Sequence, residues 1–183
     1  NRHLSELIDR ILDINIWERD QVRLKRQEVK VSTWIRDLTQ AFLLKQEGSG
    51  LEIDLVVHDI PELIWMDEVH MSTAINNILS NAVKYGSHPC KIKLVLSRNK
   101  GFMDMAISDN GPGIRREELK HIFEKFYRGK ESKERVIKGL GLGLYYVKQI
   151  TEAHGGSLTA KSTPGKGAEF IIQIPIQNGK MSK

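Results

Sequence analysis

A chain of 183 residues with 40% apolar side chains is long enough for one packed domain plus an appendage. Its single cysteine, Cys90, excludes a disulfide framework and a thiolate metal cluster, and no apolar run reaches the roughly 20 residues of a membrane-spanning helix or follows a signal-peptide pattern. A formal charge of +5 admits phosphate-bearing ligands or nucleic acid without demanding either.

The chain opens on Asn1 already inside a helical pattern, so a piece of a longer protein is expected. Residues 2–18 read as one amphipathic helix. Leu4, Leu7, Ile11 and Ile14 recur at the spacing of a bundle seam, and Ile8, Leu12 and Ile16 widen the stripe. An ordinary amphipathic helix lying on its own domain would show the same pattern. The charged stretch 19–26 reads as a linker. Glu28 to Val31 is a short strand, and Ser32 is placed to cap a helix that runs through Phe42 to Glu47 and stops at Gly48-Ser49-Gly50. Leu51 to His58 alternates as a strand, Asp59-Ile60-Pro61 turns, and Leu63 to Met66 is a brief return strand. Asp67 then stands where an N-cap belongs.

The helix from Asp67 to Tyr85 carries an apolar stripe of Met71, Ile75, Ile78, Leu79 and Ala82. Beside it Asn77, Asn81, Lys84 and Tyr85 share one face. Asparagine competes with the helix backbone, so two of them one turn apart cost stability without structural return. With Lys84 they make a carbonyl-rich, singly cationic stripe suited to a hydrated metal and a phosphate chain. Gly86 ends the helix. Lys91 to Ser97 is a strand, Asn99-Lys100-Gly101 a turn, and Phe102 to Ile107 a second, alternating strand. Met103, Met105, Ile107 and Asp109 fall on one face, so an apolar face ends in a carboxylate that must find donors or be neutralised. The turn Asp109-Asn110-Gly111-Pro112-Gly113 follows, allowing close backbone approach to a ligand.

A short helix carries Glu117, Glu118 and Leu119, and Phe123 and Phe126 read as core anchors. Residues 128–139 hold five basic and two acidic side chains, a net +3, without apolar periodicity, and read as a mobile basic loop. Gly139-Leu140-Gly141-Leu142-Gly143-Leu144 opens a helix through Val147 and Ile150 to His154, stopped by Gly155-Gly156; glycines there leave N–H groups and the positive end of the helix dipole open to a phosphate. The alternating glycines match neither a dinucleotide fingerprint nor a P-loop. Strands over Leu158 to Ser162 and Ala168 to Ile176, joined by a hairpin, precede a frayed tail from Asn178.

Four motifs thus stand in order: Asn-x-x-x-Asn-x-x-Lys-Tyr over 77–85, Asp-x-Gly-x-Gly over 109–113, Phe-x-x-Phe with an arginine over 123–128, and the glycine alternation of 139–143. Together they resemble the ATP-binding catalytic domain of sensor histidine kinases. That domain belongs to the ATPase superfamily shared with DNA gyrase, a heat-shock chaperone and a mismatch-repair protein. The resemblance covers about residues 27–176. It implies an α/β (α+β) two-layer sandwich, a mixed and mainly antiparallel sheet under about three helices, with residues 27–183 as the catalytic domain. Residues 1–26 then resemble the end of the dimerisation and phosphoacceptor hairpin with its linker.

By the same resemblance Asp109 accepts a hydrogen bond from the adenine amino group of ATP, while Gly111, Gly113 and Ile114 close round the base. Asn81, helped by Asn77, is the implied Mg2+ ligand. Lys84 and Arg128 neutralise phosphate charge, and Tyr85 borders the adenosine. Gly141 and Gly143 offer backbone donors to the phosphates within a nucleotide-binding stretch that includes Leu140, Leu142 and Leu144, and 128–139 forms a lid. The implied partners are ATP, the parent's own acceptor hairpin and a response-regulator receiver domain. The implied parent is a homodimer, its catalytic domain cytoplasmic and the whole usually anchored in the membrane. Two departures qualify this. The family's acceptor motif, a helical histidine with an acidic neighbour, is matched by neither His3, His58 nor His121. Hydrolytic relatives place a water-activating glutamate where Asn77 stands, and an amide cannot act as a base, which favours transfer over hydrolysis. A module that holds ATP but transfers nothing remains an alternative reading; a nucleic-acid binder is disfavoured because the basic loop lacks interleaved aromatics. Incubated alone with γ-labelled ATP, the chain should acquire no stable label on histidine, as checked by alkali-resistant radiolabel after electrophoresis.

Overall fold

The computed structural model describes residues 23–129 and 139–176. The helix expected over 2–18, the loop residues 130–138 and the tail from Asn178 lie outside them. The elements in order are β1 (Gln27–Lys30), α1 (Val31–Lys45), β2 (Glu52–His58), β3 (Leu63–Met66), α2 (Glu68–Tyr85), β4 (Lys91–Asn99), β5 (Phe102–Asp109), α3 (Arg116–Leu119), α4 (Gly143–Ala153), β6 (Ser157–Ser162) and β7 (Ala168–Pro175).

Alternation sets the sheet. Ile92, Leu94 and Leu96 of β4, Met103, Met105 and Ile107 of β5, and Phe170, Ile172 and Ile174 of β7 occupy every second position, and all are buried. They line the inner face of a five-stranded sheet of order β2-β4-β5-β7-β6. β2 pairs with β4 in parallel and the other pairs are antiparallel. The helices cover that face with stripes at helical spacing: Trp34, Ile35 and Phe42 of α1, Met71, Ile75, Ile78 and Leu79 of α2, and Val147 and Ile150 of α4. The result is the two-layer α/β sandwich that the sequence implied, with three long helices over a mixed sheet. The outer face carries a polar row, Asp54, Lys93, Ser108, Glu169 and Lys161, beside an apolar row of Val56, Val95, Ala106 and Ile171 that ends on Thr159.

Two local expectations are corrected. Ser32 does not cap α1. The helix starts at Val31 with no side-chain cap, because its first N–H donates instead to the Glu62 carbonyl at 3.1 Å. Leu63–Met66 does not return on β2; it pairs antiparallel with β1, from Gln27 opposite Met66 to Lys30 opposite Leu63, in a separate two-stranded ribbon.

Asp67 does cap α2, accepting from the His70 N–H at 2.9 Å. Its other oxygen accepts from the Lys25 N–H at 2.7 Å, and its own N–H donates to His154 Nε2 at 3.0 Å. Residues 23–26 are irregular, as a linker would be, yet Lys25 is held at the start of α2 and the Arg26 guanidinium donates to the Ala153 carbonyl at the end of α4, 2.9 Å away. His154 is buried, and its Nδ1 lies 2.7 Å from the Ile150 carbonyl, an acceptor, so the proton sits on Nδ1 and Nε2 receives the Asp67 N–H.

Burial holds the His154 imidazole below its ordinary pKa, with Arg26 and His70 pushing the same way against the Ile150 hydrogen bond and Asp67. The unfolded chain therefore takes a proton that the fold refuses. This contribution to stability is complete above about pH 6.5 and is lost as pH falls toward the depressed folded value. In His154→Gln the slope of melting temperature between about pH 5 and 6.5 should flatten, as measured by calorimetry against the unchanged chain.

Candidate functional site

A cavity of about 230 Å³ opens where the C-terminal ends of α2 and β5 meet the glycine-rich loops. Asp109 reaches it because it continues the inner face of β5 one alternation beyond Ile107. Its Oδ1 accepts from the Gly111 N–H at 2.8 Å and, more distantly, from the Ala168 N–H at 3.4 Å. Burial dominates its protonation and raises the carboxyl above the usual range, with those two backbone donors opposing. One oxygen is thus tied to the protein in the wall of the cavity, and the carboxylate keeps acceptor capacity for a ligand's amino group.

The turn after Asp109 is shaped by contacts only glycine allows. A Cβ on Gly111 would lie 2.7 Å from Asp109 Oδ1 and 3.3 Å from Gly86 Cα, so Gly111 backs the carboxylate and does not itself line the cavity. Gly113 has φ +76°, and a Cβ there would run into the Thr163 carbonyl. Asn110 faces away: its side chain accepts from the Lys91 N–H and donates to the Pro89 carbonyl, each at 2.9 Å, fastening the turn to the start of β4.

From α2 the cavity receives Asn81, Lys84 and Tyr85. The Asn81 amide has no hydrogen-bond partner and Lys84 no ion pair among the described residues, which leaves an oxygen and a charge for a ligand. Asn77 shares their face but not the cavity. Its Nδ2 donates to the Thr73 carbonyl at 3.0 Å, and its Oδ1 sits 3.1 Å from where a Cβ on Gly143 would be. The first turn of α4 crosses α2 at that level.

Arg128 lines the cavity, as do Ile114, Gly141 and Leu144. Gly141 has φ +71°, its carbonyl accepts from the Phe126 N–H at 3.1 Å, and a Cβ on it would lie 2.5 Å from the Tyr127 carbonyl oxygen. Leu142 is buried at the start of α4, Leu140 is partly exposed, and neither Leu140, Leu142 nor Gly143 lines the cavity. Phe123 packs against the core, but Phe126 is not the core anchor expected: it is 57% exposed. Its backbone, pinned to Gly141, takes φ +64°, and the ring swings outward under Lys125 Nζ, 5.4 Å from its centroid.

Sequence reasoning missed Ala168 and Phe170, which form cavity wall from the inner face of β7, together with Pro112, Arg115, Glu118, Ile122, Tyr127 and Pro164. The alternation of β7 marks Phe170 as inward but not as a ligand wall. The Arg115 Nη2–Glu118 Oε1 pair, 2.9 Å apart, carried the signal of an i, i+3 ion pair.

This chain belongs to the Histidine kinase-, DNA gyrase B-, and HSP90-like ATPase family, whose pattern matches residues 66–178. Over 177 residues, 96% of its length, it is 34% identical to the sensor protein RprX of Bacteroides fragilis, and over 175 residues 30% identical to the sensor histidine kinase RppB of Synechocystis. It spans 34% and 38% of those proteins. Its fold resembles full-length ShkA, solved in complex with AMPPNP, with TM-score 0.85 and 25% identity over 98% of this chain and 37% of that one. It also resembles the mycobacterial sensor histidine kinase MprB, with TM-score 0.69 and 26% identity over 82% of this chain and 97% of that one.

Gly141→Ala should destabilise the fold by about 1–3 kcal/mol, through the left-handed backbone and the carbonyls against it, as read from urea denaturation.

Proposed function

We propose that this chain binds Mg-ATP and transfers the γ-phosphoryl group to a histidine on the dimerisation and phosphoacceptor hairpin of its parent, for relay to a response regulator. The observation that carries this is Asp109, an acceptor-bearing carboxylate set in a cavity that also holds the cations Lys84 and Arg128. Asp109 takes the adenine amino group, with Gly111 behind it and Gly113 and Ile114 beside the base. Tyr85 borders the adenosine. Lys84 and Arg128 balance phosphate charge, and the stretch Leu140-Gly141-Leu142-Gly143-Leu144 brings the N-terminal end of α4 toward the phosphates. The solved complex of ShkA with AMPPNP supports the ligand class.

The residues present fit a magnesium ion held largely by its nucleotide. Among the described residues no cluster of three histidine, cysteine or carboxylate groups could hold a metal. The unengaged Asn81 oxygen, with Asn77 one turn away, suits an ion that keeps waters and phosphate oxygens in its shell. Such an ion neutralises phosphate charge when bound. The protein's own part is positioning: Asp109 orients the base, α2 and α4 aim the triphosphate, and Asn77 offers no base to activate water.

In this reading the parent is a homodimer joined through the seam of Leu4, Leu7, Ile11 and Ile14, anchored in the membrane with this domain on the cytoplasmic side. No described helix is long and apolar enough to cross a membrane.

Asp109→Asn presents donors where the base needs an acceptor and should weaken binding of Mg-AMPPNP roughly a hundredfold by calorimetry. Wild-type affinity in that variant would remove the adenine contact. Supplied with the parent's acceptor hairpin and γ-labelled ATP, the chain should label the hairpin histidine; binding without labelling would leave a nucleotide-holding module that transfers nothing.

A further inference from the structure

β6 ends as β5 does. Leu158, Ala160 and Ser162 share its inward parity, so a second half-buried face closes on a polar residue. Ser162 stands opposite Ala168, whose N–H approaches Asp109. The Ser162 hydroxyl is used in both directions: Oγ accepts from the Ile114 N–H at 2.8 Å and donates to the Gly167 carbonyl at 2.6 Å. It therefore links the turn after Asp109 to the β6–β7 hairpin. Two more contacts join the same segments. The Gly165 N–H donates to the Pro112 carbonyl at 2.7 Å, and Gly113 and Gly167 lie so close to the Thr163 and Asp109 carbonyls that neither could carry a side chain. Pro112, Gly113 and Ile114 from one segment and Pro164 and Ala168 from the other line the cavity, whereas Ser162 does not.

We propose that Ser162 is a positioning residue for the base-binding half of the cavity, its hydroxyl fixing Ile114 and the glycine turn against the hairpin so that both walls stand ready beside Asp109. This rests on the adenine-nucleotide reading and names a residue for it that touches no ligand. The role needs both hydrogen-bonding functions of the hydroxyl. Threonine retains them; valine, of the same shape as threonine, has neither. Without the hydroxyl the Ile114 N–H loses its partner and the turn loosens.

The test is calorimetry of AMP, ADP and Mg-AMPPNP with the full chain and with Ser162→Thr, Ser162→Val and Ser162→Ala, alongside melting temperatures. Ser162→Val and Ser162→Ala should bind all three nucleotides about tenfold more weakly, by the same factor for each because the loss lies at the base, while Ser162→Thr binds like the unchanged chain. Unaltered affinity in Ser162→Val, or a loss confined to AMPPNP, would overturn the assignment, as would a lowered melting temperature with unchanged affinities. A second measurement needs no folded variant: in the unchanged chain without nucleotide the Ile114 amide should exchange slowly with deuterium, and rapid exchange would overturn the link. If the unchanged chain bound none of the three nucleotides, the adenine reading itself would fall; if it bound them and the variants matched it, only Ser162's role would.

Discussion

An ionisable group at the end of an apolar strand face has to be satisfied by the protein around it, and much of this fold is arranged about that demand. Asp109 follows Met103, Met105 and Ile107 inward. Leaving a carboxylate there without donors would cost several kcal/mol, about the margin by which small domains are stable at all. The Gly111 N–H answers most directly, which requires the chain to double back within two residues, and the Ala168 N–H adds a weaker contact that requires β7 to lie beside β5. Those requirements in turn bring the glycine turn, the hairpin and the end of α2 to one place. The cavity is the space left between elements that converge to hold one charge.

Backbone proximity is the second recurring device. Gly111 against Gly86, Gly113 against Thr163 and Gly141 against Tyr127 are backbone approaches at which any Cβ would have to displace a neighbour. Each joins two segments far apart in sequence at the rim of the cavity. Tight backbone contact fixes the relative height of the loops without long side chains, whose ordering would cost rotamer entropy.

Local signals were legible in the sequence wherever the governing physics is local. Strand parity set the inward residues of β4, β5 and β7; the stripe of α2 and its Asp67 cap follow from helical spacing and from a carboxylate's ability to accept an N–H; Asn81, Lys84, Tyr85, Asp109 and Arg128, drawn from three of the four motifs, line one cavity. What could not be read depends on partners distant in sequence. The first N–H of α1 is satisfied by Glu62, thirty-one positions on, so Ser32 is not needed as a cap. β3 has the composition of a strand but nothing in it says that β1 is its partner, and the parallel pairing of β2 with β4 is equally silent. Phe126 reads as apolar core by residue type; its outward turn comes from a hydrogen bond to Gly141, across the loop. Asn77 lies on the helix face expected of it, yet it does not line the cavity: its amide bonds the Thr73 carbonyl and faces Gly143 at the start of α4.

The inward parity shared by Asp109 and the core methionines has an evolutionary and practical consequence. In a strand with a period of two, a slip of one residue would expose Met103, Met105 and Ile107 together with the carboxylate, and would bury Ser108 and Asp104 in their place. No misregistered sheet can therefore keep the core and lose only the ligand group, or the reverse. The chain needs no separate device to proofread its binding site: any molecule that passes the test of packing has, by the same arithmetic, already placed Asp109.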